Sequence, residues 1–162
     1  MAVRWGYTNL KGLYIMQVSE SARSFVEANI QHMQYITTIR RSDPPARRSK
    51  TSIAYGIDRR VKGIYFFYPK GHNPAIDPMR PIYIGETTSS VQSRLRNHKS
   101  SLIDPSWKVE CTGKKFIAAG ICLDEAFDVY YIDAELLNIN TRQESIFAET
   151  AFMVHLKPLV WK

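Results

Sequence analysis

The stretch PIYIGETTSSVQSRLRNH, residues 81–98, changes character midway. It opens with alternating aromatic and β-branched residues, crosses a Thr-Thr-Ser-Ser junction, and ends in a helical repeat that carries Arg94, Arg96 and His98. Its first part, IYIGET over 82–87, reads as a β-strand. The second part reads as a helix over about 90–102, with Ser89 or Ser90 as cap and Val91, Leu95 and Leu102 as the inward stripe. Residues four apart on a helix share a face, so Arg94 and His98 point the same way and Arg96 points elsewhere.

Working outward, VKGIYFFYP at 61–69 is a second strand, rich in β-branched and aromatic residues and bounded by Pro69. The three-proline segment 70–81 is the loop of a hairpin or meander between the two strands, and His72 within it has no assigned role. AFDVYYIDA at 126–134 alternates as a third strand, whereas KKFIAAGICL at 114–123 fits a short helix or a strand, Gly120 weakening either. Thr141-Arg142-Gln143-Glu144 is a capping-box sequence opening a last helix. Ile146, Phe147, Met153 and Val154 are its expected apolar side, Thr150 its polar member, and Pro158 its end. Upstream, Phe25, Val26, Ile30, Met33, Ile36 and Ile39 recur at helical spacing and predict a helix over about 20–39. Residues 3–18, interrupted by Gly12, have room for one or two short strands.

The 162 residues suit one domain with an appendage, and 44% hydrophobic content excludes a disordered chain. No apolar run approaches the roughly 20 residues that span a bilayer, and no export signal is visible at the start, so the expectation is a cytoplasmic protein without membrane contact. Cys111 and Cys122 lack a CxxC or histidine cluster nearby and are read as packed thiols. The net charge of +7 is unevenly placed: residues 1–62 hold eleven Lys or Arg against four Asp or Glu, and the remainder holds eleven of each. A basic, partly helical N-terminal extension over 1–60 therefore precedes a neutral core over 61–162. Its loop RRSDPPARRSK at 40–50 places five cations among eleven residues, which suits neutralisation of nucleic-acid phosphates.

Gly63-Ile64-Tyr65, Tyr83-Ile84-Gly85, Arg94 and His98 together resemble the GIY-YIG nuclease superfamily, most closely its stand-alone restriction-type endonucleases. The likeness covers roughly 63–161. It implies an α+β fold in which a small three-stranded antiparallel sheet is flanked by helices. It also implies a glutamate on the late helix followed by a proline and an asparagine. Glu149, ahead of Pro158, takes the glutamate position, since Glu144 is explained by capping; helical spacing puts Ser145, Glu149, Phe152 and Leu156 on one line. Trp161 stands where the family has asparagine. The gap from Tyr65 to Tyr83 is longer than usual in the family, and Arg94 lies one residue further from the YIG tripeptide.

The implied activity is metal-dependent hydrolysis of phosphodiester bonds in double-stranded DNA, sequence-specific and restriction-type, with homing, repair or DNA-degrading toxin nucleases as the alternatives within the class. A DNA-binding protein on a catalytically weakened scaffold is the alternative outside it. Glu149 would hold one Mg²⁺ or Mn²⁺ per site, the other ligands being water and the scissile phosphate. Arg94 would offer a forked donor pair to the phosphate. Tyr65 would orient or deprotonate the attacking water; this requires positive charge to lower its pKa or a neighbour to share its proton. Tyr83 would hold water or phosphate by its hydroxyl, and His98 would relay a proton or donate to phosphate. Arg40, Arg41, Arg47, Arg48, Lys50, Arg59, Arg60, Lys62 and Arg96 are the expected DNA contacts. One centre cuts one strand, so a double-strand break calls for a homodimer or higher oligomer, or for a second sequential cut.

Overall fold

GIYFFYP is apolar throughout because it lies between two other strands with helices over both faces. The structure, a computed structural model, describes residues 20–43, 56–106, 108 and 111–161. The short strands expected over 3–18, and Arg47, Arg48 and Lys50, fall outside these residues. A helix α1 over 20–29 runs through a single 3₁₀ turn, Ile30–His32, into β1 (Gln34–Arg40). There follow β2 (Gly63–Pro69), β3 (Tyr83–Thr87), α2 (Val91–Ile103), α3 (Thr112–Ala118), β4 (Ala126–Asp133) and α4 (Arg142–Leu156). No helix among the described residues is long and apolar enough to cross a membrane.

All strand pairs are antiparallel and the sheet order is β1-β4-β2-β3. The expected α+β class holds, but the expected three-stranded sheet has four strands. The added strand is the second half of the helix expected over 20–39. In a regular strand Ile36 and Ile39 would face opposite ways. A bulge between Tyr35 and Thr37 inserts Ile36 as an extra residue and turns it toward the core cluster that contains Ile39. The bulge thus imitates the three-residue spacing of a helix, while the dense β-branched run Ile36-Thr37-Thr38-Ile39 favours extended backbone.

Alternation along the strands divides the core in two. Tyr65, Phe67, Phe127 and Val129 face α2 and α3, meeting Val91, Leu95, Leu102 and Phe116. Ile64, Phe66 and Ile132 face the other way and meet Val26 of α1 with Phe152 and Leu156 of α4. The α2 stripe and its Ser90 cap are as expected, the Ser90 hydroxyl accepting from the Ser93 amide at 3.2 Å. The ambiguous segment 114–123 is partly helix α3. The capping box forms in full: Thr141 accepts from the Glu144 amide at 3.2 Å, and the Glu144 carboxylate accepts from the Thr141 amide at 2.9 Å. The apolar side expected for α4 is wrong in three of its four residues. Ile146, Phe147 and Val154 are exposed; Ser145, Ala148, Ala151 and Phe152 face inward. Its buried face mixes small residues, Ser145, Ala148 and Ala151, with the large Phe152, Met153 and Leu156. Cys111 is buried but Cys122 is exposed, and both are free thiols, so the second is not the packed thiol expected.

Candidate active site

Among the described residues β3 is an edge strand. Tyr65 pairs with Gly85 and Phe67 with Tyr83, which puts both tyrosines on the α2 side. The Tyr65 ring lies directly over Gly85: a Cβ there would collide with the ring and its hydroxyl. Glycine in this tripeptide therefore serves a side chain from the neighbouring strand.

From α2, His98 enters the aromatic layer. It is 7% exposed, with the Phe67 ring 5.3 Å and the Tyr83 ring 5.2 Å from its own. Its Nε2 is 2.8 Å from the Tyr65 hydroxyl and its Nδ1 is 2.6 Å from Thr112 Oγ1 on α3. Arg94, one turn earlier, is exposed at the rim. Together these groups line a cleft of about 240 Å³, to which Glu86, Asn97 and Lys115 also contribute.

Glu149 approaches from the opposite sheet face. It is 5% exposed, on the buried line with Ser145, Phe152 and Leu156 anticipated from spacing. The Ser145 hydroxyl donates to the Glu86 carboxylate at 2.8 Å. Glu86 follows Gly85 on β3 and so projects from the face opposite Tyr83. The charges of both carboxylates act on both phenols. Burial pushes the Tyr65 phenol well above its ordinary pKa, with Tyr83, Glu149 and Glu86 adding to the rise and Arg94 opposing it. Burial and then Glu149 push Tyr83 up to about 12, against a hydrogen bond with Tyr65 and the charge of Arg94. Of the two routes by which Tyr65 could activate water, a lowered pKa is not what this environment provides. The neighbour able to share its proton is His98.

The carboxylates of Glu149 and Glu86 and the Ser145 hydroxyl are hard oxygen donors of the type that suits a small divalent cation. Among the described residues no group of three or more His, Cys, Asp or Glu is arranged to hold a metal. This donor set fits an open site completed by water and substrate oxygens better than a closed structural one.

The expected DNA contacts that fall among the described residues lie toward both ends of β4. Arg40 pairs with Ala126 at one end of β4, and Gly63, next to Lys62, pairs with Asp133 at the other. Seven residues of strand separate them, roughly 23 Å. The Arg40 carbonyl accepts the ammonium of Lys99, and the Arg41 guanidinium meets Asp124 at 3.3 Å. Arg59, Arg60 and Lys62 line a groove of about 770 Å³ that also holds Asp133 and Glu135. Arg60 is paired with Asp58 at 3.0 Å. Arg96 is half-buried, reaches Gln92 at 3.4 Å and does not line the cleft. His72 is a loop fastener: it stacks on Tyr68 with ring centroids 4.8 Å apart, and its Nε2 meets the Asp77 carbonyl at 2.6 Å. Trp161 is exposed, just past Val160, whose amide bonds the Ile82 carbonyl at 2.9 Å.

Sequence reasoning does not reach Glu86, Asn97, Lys115 and Thr112. Asn97 precedes His98 by one residue and Glu86 follows the YIG tripeptide, so adjacency to named residues is a usable signal for both. Thr112 and Lys115 come from α3, whose type the sequence leaves open. Comparison of the chain with family models, with curated proteins and with solved structures found no match.

Proposed function

We propose that the protein is a metal-dependent DNA endonuclease of the GIY-YIG type. The observation that carries this reading is the 2.8 Å contact between the Tyr65 hydroxyl and His98 Nε2, in a cleft that Arg94 also lines and whose phenols feel the charge of Glu149. A buried phenol that stays protonated is a poor base alone, but beside an imidazole it can pass a proton in two directions. As water attacks phosphorus, its proton moves to the Tyr65 oxygen while the phenol proton moves to His98 Nε2. The bond to the leaving oxygen breaks with its electron pair, and solvent protonates that oxygen and later takes the proton from His98. Tyr83 orients the water or a phosphate oxygen by its hydroxyl. Arg94, exposed at the rim, closes its guanidinium fork on the phosphate as negative charge grows. Glu149 would hold Mg²⁺ or Mn²⁺, which would supply charge neutralisation for the phosphate and the leaving oxygen. Burial of Tyr65, His98 and Glu149 gives charge at these groups more effect than it would have in water.

Plasmid DNA incubated with Mg²⁺ tests this reading. Wild type is expected to nick it, and Glu149→Gln to lose about 10²- to 10³-fold in rate, an effect of the size seen when one preorganised electrostatic group is removed. Binding without cleavage in any divalent ion would leave the DNA-binding alternative in place. Discrete fragments from a long DNA would mark restriction or homing specificity, a smear a toxin-like nuclease, and cutting confined to branches a repair enzyme. Restriction-type specificity is the favoured form, with base contacts made from residues outside the cleft. Each chain carries one centre, so double-strand cleavage would come from a dimer or from sequential nicks.

A further inference from the structure

We propose that Thr112 is a positioning residue that sets the tautomer of His98, its hydroxyl oxygen accepting the Nδ1–H so that the Nε2 lone pair is presented to Tyr65. The catalytic meaning of this inference rests on the nuclease reading; the hold on the imidazole does not.

Three observations converge. Thr112 Oγ1 lies 2.6 Å from His98 Nδ1, and both residues are buried, so the contact is not shared with bulk water. On the other side of the ring Nε2 is 2.8 Å from a phenol that burial keeps protonated. With its proton in place this phenol can donate to Nε2, and in that arrangement the ring proton sits on Nδ1, facing Thr112. A threonine hydroxyl can accept that proton and still turn its own hydrogen elsewhere. Finally, the two helices are fastened at this point. The Ser101 hydroxyl donates to the His98 carbonyl at 2.8 Å, and the Gly113 amide donates to the same hydroxyl at 3.2 Å. Thr112, as the first residue of α3, is therefore fixed relative to His98 by a second, separate link.

A loose imidazole would divide its time between tautomers and ring flips, and each Nε2–H microstate would be unable to take the phenol proton. Loss of an orienting partner behind a functional histidine commonly costs about 10- to 100-fold, and a forced wrong tautomer can cost about 10⁴-fold.

The test uses the full chain, ring-¹⁵N-labelled at histidine, with the His98 signals among the four histidines identified by difference against His98→Gln. At a pH where the imidazole is neutral, wild type is expected to show protonated Nδ1 and unprotonated Nε2. Thr112→Val keeps the shape and removes the hydroxyl. It is expected to shift His98 toward the Nε2–H form and to lower kcat for plasmid nicking by about 10- to 100-fold with KM nearly unchanged. Thr112→Ser should restore the tautomer and bring kcat within about threefold of wild type. Should Thr112→Val fail to fold by circular dichroism, Thr112→Ala carries the same comparison. An Nε2–H tautomer in wild type overturns the proposal, as does a hydroxyl-free variant with wild-type tautomer and rate. A shifted tautomer with an unchanged rate also overturns it, by confining Thr112 to structure. If wild type cuts no DNA, the nuclease reading fails while the ¹⁵N spectra still decide what Thr112 does to the ring.

Discussion

The groove at Arg59, Arg60 and Lys62 is about 770 Å³ and the cleft at Tyr65 and His98 about 240 Å³, yet the proposed chemistry belongs to the smaller. The groove is lined by exposed charges of both signs, and its Arg60 is already matched with Asp58 in an exposed pair of the kind that contributes little. The cleft holds phenols, an imidazole and a nearby carboxylate almost removed from water, where each ionisation depends on the others. The two open on either side of the short segment 86–89, Glu86 lining one and Thr88 and Ser89 the other. Desolvation, rather than volume or charge count, separates a place that can alter a proton's position from one that can only hold a phosphate.

The sharpest way to break this contrast is to remove the cleft's proton path. Tyr65→Phe and His98→Ala are each expected to lower the nicking rate by about 10²- to 10⁴-fold, and the double variant by little more than either single one, because the two act as one relay. Additive losses would mean that the two residues work separately.

Next in size is Gly85→Ala, whose methyl group must displace the Tyr65 ring. The expected cost is about 1–3 kcal/mol by urea denaturation, typical of overpacking, together with loss of nicking. Normal stability and activity would show that the ring has another place to go.

In the groove the effects are smaller and of another kind. Arg59→Ala with Lys62→Ala should weaken DNA binding and flatten the slope of log affinity against log salt by about 0.9 for each phosphate no longer neutralised. A slope identical to wild type would remove the groove from the DNA path.

The smallest effect lies far from both. Thr141→Ala should cost about 1 kcal/mol by removing one half of the capping box. Its partner Glu144 has a folded-state pKa below the ordinary 4.5, because the amides of Asn140 and Thr141 donate to its carboxylate. Its contribution is therefore present above pH 4.5 and is lost as pH falls through the lower folded value. The gap in melting temperature between wild type and Glu144→Ala should narrow as pH falls below 4.5, and a gap that does not narrow on acidification would refute the carboxylate's role.

What can be read in advance follows from how local each signal is. The α2 stripe and the α4 capping box depend on residues within a few positions of one another, and both form as spacing dictates. Strand β1 reads as helix because a bulge, which exists only against a partner strand, changes the facing of Ile36. The exposed Ile146 and Phe147 mislead for a related reason, since which side of α4 is buried is decided by the strands beneath it. At the proposed site, Tyr65, Tyr83, Arg94 and His98 are picked out by the family resemblance their motifs carry. Thr112 is not, because its contact with His98 depends on how α3 docks against α2.

Gly85 carries one more consequence, for how this protein tolerates change. The residue offers no side chain to substrate, yet the smallest replacement strikes the phenol across the strand. In a saturation scan scored by activity it should be as intolerant as Tyr65, without touching any reacting atom. A map of mutational sensitivity would draw the active centre one residue too wide on β3, and a stability screen run in parallel would be needed to trim it back.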